Sequence, residues 1–135
     1  MNEQWERWEP IKRLSNKYYI ESISDSIKCF KITLCESNDE RKKVEVIFDD
    51  SVHAYRSTDE SFNLKTINTL DEHYGTRFYS NWTFFKVNNS EYTNWLYEQS
   101  YGIAASQPLI HFCLIASDSI VDVIAAYEPK IERIS

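Results

Sequence analysis

The chain has 135 residues, of which 42% are hydrophobic and 15% aromatic, so it can bury the core of one domain without disulfides or a structural metal. The formal net charge of −6 resides in residues 46–135, which carry six basic and twelve acidic side chains, whereas residues 1–45 carry nine of each. An acidic surface repels phosphate backbones, so this charge disfavours nucleic-acid binding and favours a basic protein partner.

The sequence favours a cytoplasmic protein that does not enter a membrane. No apolar run approaches the roughly 20 residues that span a bilayer, and the N-terminal MNEQWERWEP lacks the apolar segment of a signal peptide. Cys29, Cys35 and Cys113 are odd in number and lie in apolar segments, which is typical of reduced thiols in the cytoplasm. We therefore interpret the N-x-S/T triplets at Asn81 and Asn88 as chance matches.

Motifs for catalysis and for cofactors are missing from the sequence. Two glycines leave no room for the loops G-x-G-x-x-G or G-x-x-x-x-G-K-[ST], which bind phosphates. The histidines His53, His73 and His111 have no spacing to each other or to cysteine that predicts a zinc site. There is no G-x-S-x-G elbow, and a nucleophilic Cys113 would require partners that converge from distant segments. The sequence therefore predicts no catalytic residue, metal or cofactor.

The predicted elements begin with a short helix or turn. In WERWEPIKRL the large apolar residues recur in steps of three, which places them on one stripe of a helix. These residues are Trp5, Trp8, Ile11 and Leu14. Pro10 is compatible only with a position near the start of such a helix.

Alternating apolar residues then predict a series of strands. The segment KYYIESI is followed by IKCFKITLCE, in which Phe30, Ile32 and Leu34 share one face. The segment VEVIFDD alternates in the same way, so it is predicted to form an antiparallel hairpin with IKCFKITLCE around the polar loop ESNDERKK. SVHAYR continues extended, with His53 and Tyr55 on one face.

A helix is predicted from the capping box STDE, at residues 57–60, to about His73. Gly75 is placed to end this helix in the left-handed conformation. A stripe at helical spacing is predicted to be buried. It contains Leu64, Ile67, Leu70 and Tyr74.

The aromatic segment NWTFFKVNNSEYTNWL divides between two predicted elements. WTFFKV is a strand-forming run, and the residues NNS supply a cap for the helix EYTNWLYEQS. A platform that stacks bases or sugars needs outward aromatic side chains with basic residues between them, and only Lys86 has that position. We therefore predict a core here, with Phe85, Trp95 and Leu96 buried.

The last third of the chain predicts two apolar strands, LIHFCLIAS and IVDVIAAY, joined by a turn at Asp118 and Ser119. Together with the earlier elements, they indicate an α+β fold. We expect residues 1–135 to form a single domain, in which a mainly antiparallel sheet of about five to seven strands has two or three helices packed on it.

The leading functional hypothesis is a non-catalytic protein that binds a basic partner through acidic side chains. The residues predicted to contact the partner are Asp49, Asp50, Asp71, Glu72, Asp118 and Asp122. Arg56 stands among acidic residues and is predicted to pair with Asp59 or Glu60 rather than to bind phosphate. The hypothesis requires the aromatic side chains to be buried, so that the acidic exterior is the surface available to a partner.

Three alternatives stay open at this point. A small ligand could bind between helix and sheet, in a pocket lined by Tyr55, Arg56, Trp82 and Lys86. An enzyme whose residues converge only in three dimensions is a second alternative. An exposed edge strand or aromatic patch could also pair two copies of the chain as a homodimer.

Three stretches of the chain resemble a known family of proteins. They are KKVEVIFDDSVHAYRSTDES, FYSNWTFFKVNNSEYTNWLYEQSYGI and HFCLIASDSIVDVIAAYEPKI, and the resemblance extends over roughly residues 9–131. The family consists of small uncharacterised cytosolic proteins of Bacillus and its relatives. The resemblance implies a protein similar to the immunity proteins that are encoded beside secreted polymorphic toxins. It implies no catalytic residue.

Overall fold

The computed structural model of the chain describes residues 3–134, apart from the side chains of residues 105 and 106. These residues form two antiparallel sheets, three α-helices and two 3₁₀ turns. The five-stranded sheet contains, in spatial order, β1 (Gln4–Arg7), β6 (Phe84–Asn88), β7 (Ile110–Ile115), β8 (Ser119–Ala125) and β5 (Val52–Asp59). The four-stranded sheet contains β2 (Tyr18–Asp25), β3 (Phe30–Glu36), β4 (Lys43–Phe48) and β9 (Lys130–Arg133). The α-helices are α1 (Leu64–Tyr74), α2 (Thr76–Ser80) and α3 (Glu91–Gln99), and the 3₁₀ turns are Glu60–Phe62 and Ile103–Ser106.

The predicted α+β class is confirmed, whereas the predicted number of strands is too low, because residues 3–134 form nine strands in two sheets rather than five to seven in one. One missed strand is β1, which the sequence pattern predicted as a helix or turn. It pairs antiparallel with β6, so that Trp5 lies opposite Val87. Trp5 and Trp8 pack into two different cores, and their spacing of three residues therefore does not reflect a helical stripe.

The strands predicted from alternation in the first half of the chain are confirmed. β3 and β4 form the predicted antiparallel hairpin, with Phe30 opposite Phe48 and Leu34 opposite Val44. β2 and β9 pair with the outer sides of this hairpin and complete the four-stranded sheet. Alternation gives this sheet one apolar face, which requires a cover.

The first core lies between the two sheets. Apolar side chains from the facing sides of both sheets meet there, including Phe48 of β4 and Phe112 of β7, whose ring centroids are 5.6 Å apart in an edge-to-face contact. Tyr18 and Phe84 make a second contact of the same kind, also at 5.6 Å. Edge-to-face pairs add about 0.5–1.5 kcal/mol to the stabilisation that buried area provides. Most aromatic side chains of the sheets are therefore buried, as predicted.

The second core lies on the other face of the five-stranded sheet, beneath α1 and α2. Leu70 of α1 is fully buried against Phe85 and Ile120 of the sheet. Strands β6, β7 and β8 are covered on both faces, which explains why their sequences are nearly continuous apolar runs. The domain thus has three layers: the four-stranded sheet, the five-stranded sheet and the helices.

Residues 57–59 continue β5 instead of capping α1. The backbone N–H of Glu60 donates to the Asp118 carbonyl at 3.4 Å, which extends the pairing of β5 with β8 beyond the strand end. The helix therefore begins late, and Leu64, which was predicted to be buried, is 66% exposed. Gly75 ends α1 as predicted, but with φ 83° and ψ 159° it is extended at positive φ, a conformation that is almost exclusive to glycine.

Candidate functional site

Polar side chains meet on the outer face of the five-stranded sheet, beneath α3. Asp122 of β8 lies opposite Arg56 of β5 and Cys113 of β7, so antiparallel register brings the three side chains to one face. The Asp122 carboxylate accepts a hydrogen bond from Arg56 Nε at 2.9 Å and another from His111 Nε2 at 2.7 Å. We call these residues, together with Tyr92 of α3, the Asp122 cluster.

The cluster keeps its acid charged and its thiol neutral. Burial raises the pKa of Asp122, but the hydrogen bond and charge of His111 and the charge of Arg56 outweigh burial and hold the pKa below its ordinary value. Burial, reinforced by the Asp122 carboxylate, raises the pKa of the Cys113 thiol well above its ordinary value. A buried thiol of this kind is a weak nucleophile.

Tyr92 connects the cluster to the surface of the molecule. The Arg56 guanidinium lies over the Tyr92 ring, with Cζ 4.0 Å from the ring centroid. The same ring makes an edge contact with His111 at 5.6 Å and stacks on Trp95 at 5.5 Å. The cation–π contact and the ring contact with His111 fix α3 against the sheet, and the stacking on Trp95 lies within α3.

The Asp122–His111 pair has the chemistry of part of a catalytic triad, but its environment is closed. His111 and Asp122 are 3% and 5% exposed, and Cys113 is fully buried. His111 Nδ1 is buried and has no hydrogen-bond partner among the described residues. These buried atoms are closed to a substrate, so what the cluster can do is join β5, β7, β8 and α3 through the contacts of Asp122 with Arg56 and His111 and of Arg56 with Tyr92.

An open groove of about 590 Å³ lies beside the cluster, along the outer edge of β5. Residues 52–55 of β5 line its floor, and Tyr92 and Trp95 of α3 line one wall. Residues 25–30, which form the turn between β2 and β3, line the opposite wall, and residues 49–51 close one end. We call this the β5 groove.

The β5 groove exposes large apolar side chains. Trp95 is 47% exposed, Tyr55 is 41% exposed, and Ile27 at the tip of the β2–β3 turn is completely exposed. The Tyr55 ring is held by Phe30, with ring centroids 4.5 Å apart. His53 separates the groove from a smaller apolar pocket of about 220 Å³ around the exposed Ile103. Exposed apolar side chains grouped in this way are characteristic of binding surfaces.

Carboxylates border the same groove. Asp25, Asp49 and Asp50 line it together with a single lysine, Lys28. Asp49 forms an ion pair with Lys130 at 3.1 Å, and Asp50 accepts a hydrogen bond from the backbone of the next residue, Ser51. The groove therefore combines exposed aromatic rings with an excess of negative charge.

The structure brings together three of the residues that the sequence predicted for binding. Asp49 and Asp50, predicted for a protein partner, and Tyr55, predicted for a small ligand, all line the β5 groove. Members of both predicted sets therefore meet in one groove.

The other predicted acidic residues lie apart from the groove and from each other. Asp71 of α1 accepts hydrogen bonds from Thr76 and Tyr79, and Asp118 accepts one from the backbone of Ile20. Glu72 lines a separate pocket of about 300 Å³ near the N-terminal strand. These residues do not form one continuous acidic face with the groove.

The positions of Asp122 and Arg56 differ from those predicted from the sequence. Asp122 was assigned to the acidic surface, yet it is buried because it projects from a central strand into the space beneath α3. Arg56 was expected to pair with Asp59 or Glu60, but register places it opposite Asp122. Asp59 instead accepts hydrogen bonds from the backbone and hydroxyl of Ser61.

Trp82 and Lys86 also lie away from the pocket predicted for them. Trp82 Nε1 donates to the Trp8 carbonyl at 3.0 Å, and its ring packs against both cores. Lys86 lies over the Trp8 ring and pairs with Glu128 at 3.1 Å. Lys86 points to the face of the sheet opposite Arg56, so the four predicted ligand residues do not share one pocket.

Sequence reasoning missed Trp95, which was predicted to be buried. Helical spacing put Trp95 on the same face as Tyr92, but Trp95 is exposed and lines the β5 groove, whereas Tyr92 is buried against His111. Ile27, between Ser26 and Lys28, was also overlooked, although an isoleucine in a polar turn is a recognisable signal of an exposed apolar residue.

A second charged group, the partly buried Lys17, lies at the far end of β7. Lys17 Nζ donates to the Ile115 carbonyl at 2.5 Å and to the Trp82 carbonyl at 2.9 Å. Burial lowers the pKa of Lys17 to about 8, and the charge of Glu60 raises it too little to compensate. No carboxylate among the described residues forms an ion pair with it.

Comparison with family models, with curated proteins and with solved structures finds no match to the chain. Within residues 3–134, no helix has the length and apolar character that crossing a membrane requires. The same residues contain no group of three or more histidine, cysteine or acidic side chains arranged to hold a metal ion.

Proposed function

We propose that the chain is a non-catalytic protein-binding domain of the cytoplasm, and that the β5 groove is the surface that binds a basic partner. The observation that carries this proposal is the exposure of Trp95 and Tyr55 beside carboxylates on rigid secondary structure. Aromatic anchors supply most of the binding energy in protein interfaces, while charged rims guide association.

The groove is preformed, which lowers the cost of binding. Trp95 is stacked on Tyr92, and Tyr55 makes a tilted ring contact with Phe30, so both exposed rings are already ordered. Ordering of flexible side chains normally costs about 0.5–1.5 kcal/mol for each side chain at an interface. The buried Asp122 cluster supports the α3 wall through the contact of Arg56 with Tyr92.

A toxin with a basic active site has the chemistry that matches this groove. In that case the chain acts as an immunity protein, because it covers the active site and places Asp25, Asp49 and Asp50 against cationic side chains. The mechanism is steric and electrostatic, and it uses no bond-making step.

The test begins with a photo-cross-linking residue, p-benzoylphenylalanine, in place of Trp95 in the native host. The matched control carries the same residue in place of Tyr19, which is 39% exposed on the four-stranded sheet. Mass spectrometry then identifies proteins that cross-link at position 95 and not at position 19.

The captured partner is purified and titrated against variants of the chain. We expect Trp95→Ala to weaken binding at least about thirtyfold, since loss of an anchor residue costs about 2 kcal/mol or more. We expect Asp50→Asn to slow association at low salt, and Tyr19→Ala to change neither quantity. If the partner is a toxin, co-expression of the chain restores growth of cells that produce it. A partner that tolerates both Trp95→Ala and Asp50→Asn contradicts the proposal.

A small ligand is the second candidate for the same groove. The volume of about 590 Å³ falls within the range of about 300–1,000 Å³ that ligand pockets occupy. A thermal-shift screen distinguishes the two, because a ligand at 100 times its dissociation constant stabilises the fold by about 2.7 kcal/mol. A compound whose shift disappears in Tyr55→Ala favours the ligand, and a screen without shifts favours the protein partner.

A further inference from the structure

The floor of the β5 groove is a sheet edge. β5 pairs with β8 on one side and is the last strand of the five-stranded sheet. Residues 55–57 are exposed, and no hydrogen bond from the described residues reaches their backbone groups from the outer side. An open edge of this kind is a template for another strand.

The hydrogen-bonding pattern identifies which backbone groups face outward. In an antiparallel ladder, residues alternate between pairs that exchange hydrogen bonds and pairs that do not. The Glu60 N–H donates to Asp118, so by alternation Arg56 bonds to β8. The N–H and C=O groups of Tyr55 and Ser57 therefore point away from the sheet, those of Tyr55 in the groove and those of Ser57 two residues farther along the same edge.

The two walls of the groove flank the two faces of the β5 edge, where the side chains of an added strand would lie. Side chains of a strand alternate between the two faces of a sheet. On one face of the edge lie Tyr92 and Trp95, and on the other face lies Tyr55 with the β2–β3 turn. A strand added to β5 would place alternate side chains against Trp95 and against Tyr55.

We propose, building on the proposed function, that the partner binds by adding an extended, lysine- or arginine-rich segment as a sixth strand beside β5. Backbone groups of this segment pair with those of Tyr55 and Ser57, its apolar side chains contact Trp95 on one face, and the alternate side chains lie on the other face, beside Tyr55. Its basic side chains face Asp25, Asp49 and Asp50.

The charge of the groove indicates whether a segment of another protein or a second copy of the chain occupies the β5 edge. Each copy carries a net charge of −6, so two copies that paired through β5 would bring acidic rims and an overall excess of like charge together. A basic segment meets the same carboxylates with favourable charge. The occupant is therefore a partner strand rather than a second β5.

The experiment uses an acetylated and amidated octapeptide that alternates lysine and valine, titrated into the isotope-labelled chain by NMR. We expect the largest amide shifts at Tyr55 and Ser57, together with slowed hydrogen exchange of both amides. Ser57→Pro removes one outward N–H and keeps the bonds to β8, so it should weaken binding at least about tenfold. The matched variant Ser57→Ala keeps that N–H and should bind within about twofold of the original chain.

Two modified peptides test the same point without altering the protein. One is N-methylated at every valine and the other at every lysine, so each blocks one edge of the peptide strand. We expect one of them to lose binding and the other to retain it, because only one edge faces β5. An octapeptide that alternates glutamate and valine should not bind.

The outcomes separate this inference from the proposed function. If both methylated peptides bind equally, or Ser57→Pro binds as well as Ser57→Ala, strand addition is wrong. A cross-linked partner that needs Trp95 but ignores Ser57→Pro leaves the partner proposal intact and removes the strand. If the chain alone sediments as a dimer that Ser57→Pro dissociates, the occupant of the edge is a second copy, contrary to the inference.

Discussion

The outer face of the five-stranded sheet has two halves that the same strands build differently. Beneath α1 and α2, β7 and β8 contribute Ile115 and Ile120 to an apolar core. Beneath α3, the same two strands contribute His111 and Asp122 to a charged cluster. One pair of strands therefore contributes to both an apolar interface and a polar one, and the polar one adjoins the β5 groove.

The two halves also differ in the partners that they provide for a charged side chain removed from solvent. Asp122 has Arg56 and His111 as partners, and its pKa is below the ordinary value, so the carboxylate stays charged. Lys17, at the apolar end, donates hydrogen bonds to backbone carbonyls and has no carboxylate as an ion-pair partner among the described residues. Its pKa is lowered to about 8, which favours the neutral amine. Paired charge stabilises the folded state here, whereas unpaired charge reduces its stability.

The largest expected effect lies in the apolar half. Phe85→Ala removes a fully buried ring from beneath Leu70, and we expect the free energy of unfolding to fall by about 3–5 kcal/mol. Urea denaturation followed by circular dichroism measures the change. Phe62→Ala, at an 82% exposed position, is the matched control and should change stability by less than about 0.5 kcal/mol.

A smaller effect is expected in the charged half. Asp122→Asn removes the charge that Arg56 and His111 contact, and we expect a loss of about 2 kcal/mol at pH 7. Because the pKa of Asp122 is lower in the folded state, its contribution is present above about pH 4 and is lost as pH falls through the folded value. Denaturation at pH 7, 4 and 3 should show the variant and the original chain converging. Equal differences at every pH would contradict the pairing.

The smallest effect concerns Lys17. Its folded pKa of about 8 lies below the unfolded value near 10.4, so the unfolded chain binds more protons between these values and stability rises with pH there. We expect about 1–2 kcal/mol of this rise between pH 7 and 10, measured relative to Lys17→Met. Subtracting the variant removes the contribution of tyrosines that titrate in the same range. A constant difference between the two proteins would falsify the assignment.

Local patterns were sufficient to predict much of the fold. Alternation predicted β3 and β4 and their hairpin, because each strand has one buried face. Patterns with two explanations were misread. Residues 57–60 have the composition of a capping box, but pairing with β8 is stronger than the local preference for a helix start.

The candidate site was harder to predict than the fold. The turn between β7 and β8 lies at residues 117 and 118, one residue earlier than predicted, and this register is what pairs Cys113 with Asp122. The polar pair His111 and Asp122 in apolar strands was a usable signal. The groove has no such signal. It depends on β5 being the last strand of its sheet and on Trp95 of α3 lining the same groove, and both follow from tertiary arrangement rather than from local sequence.

The first and last strands of the chain each occupy a border of a different sheet. β1 protects one side of β6, and β9 protects one side of β4. Removal of either terminal strand therefore exposes backbone hydrogen-bonding groups of an otherwise internal strand. The result is a new edge strand that can pair with another molecule while the core stays intact. Tags that extend the chain leave both terminal strands in place. Shortened versions would associate with each other through the exposed edges, and this self-association would interfere with measurements of partner binding.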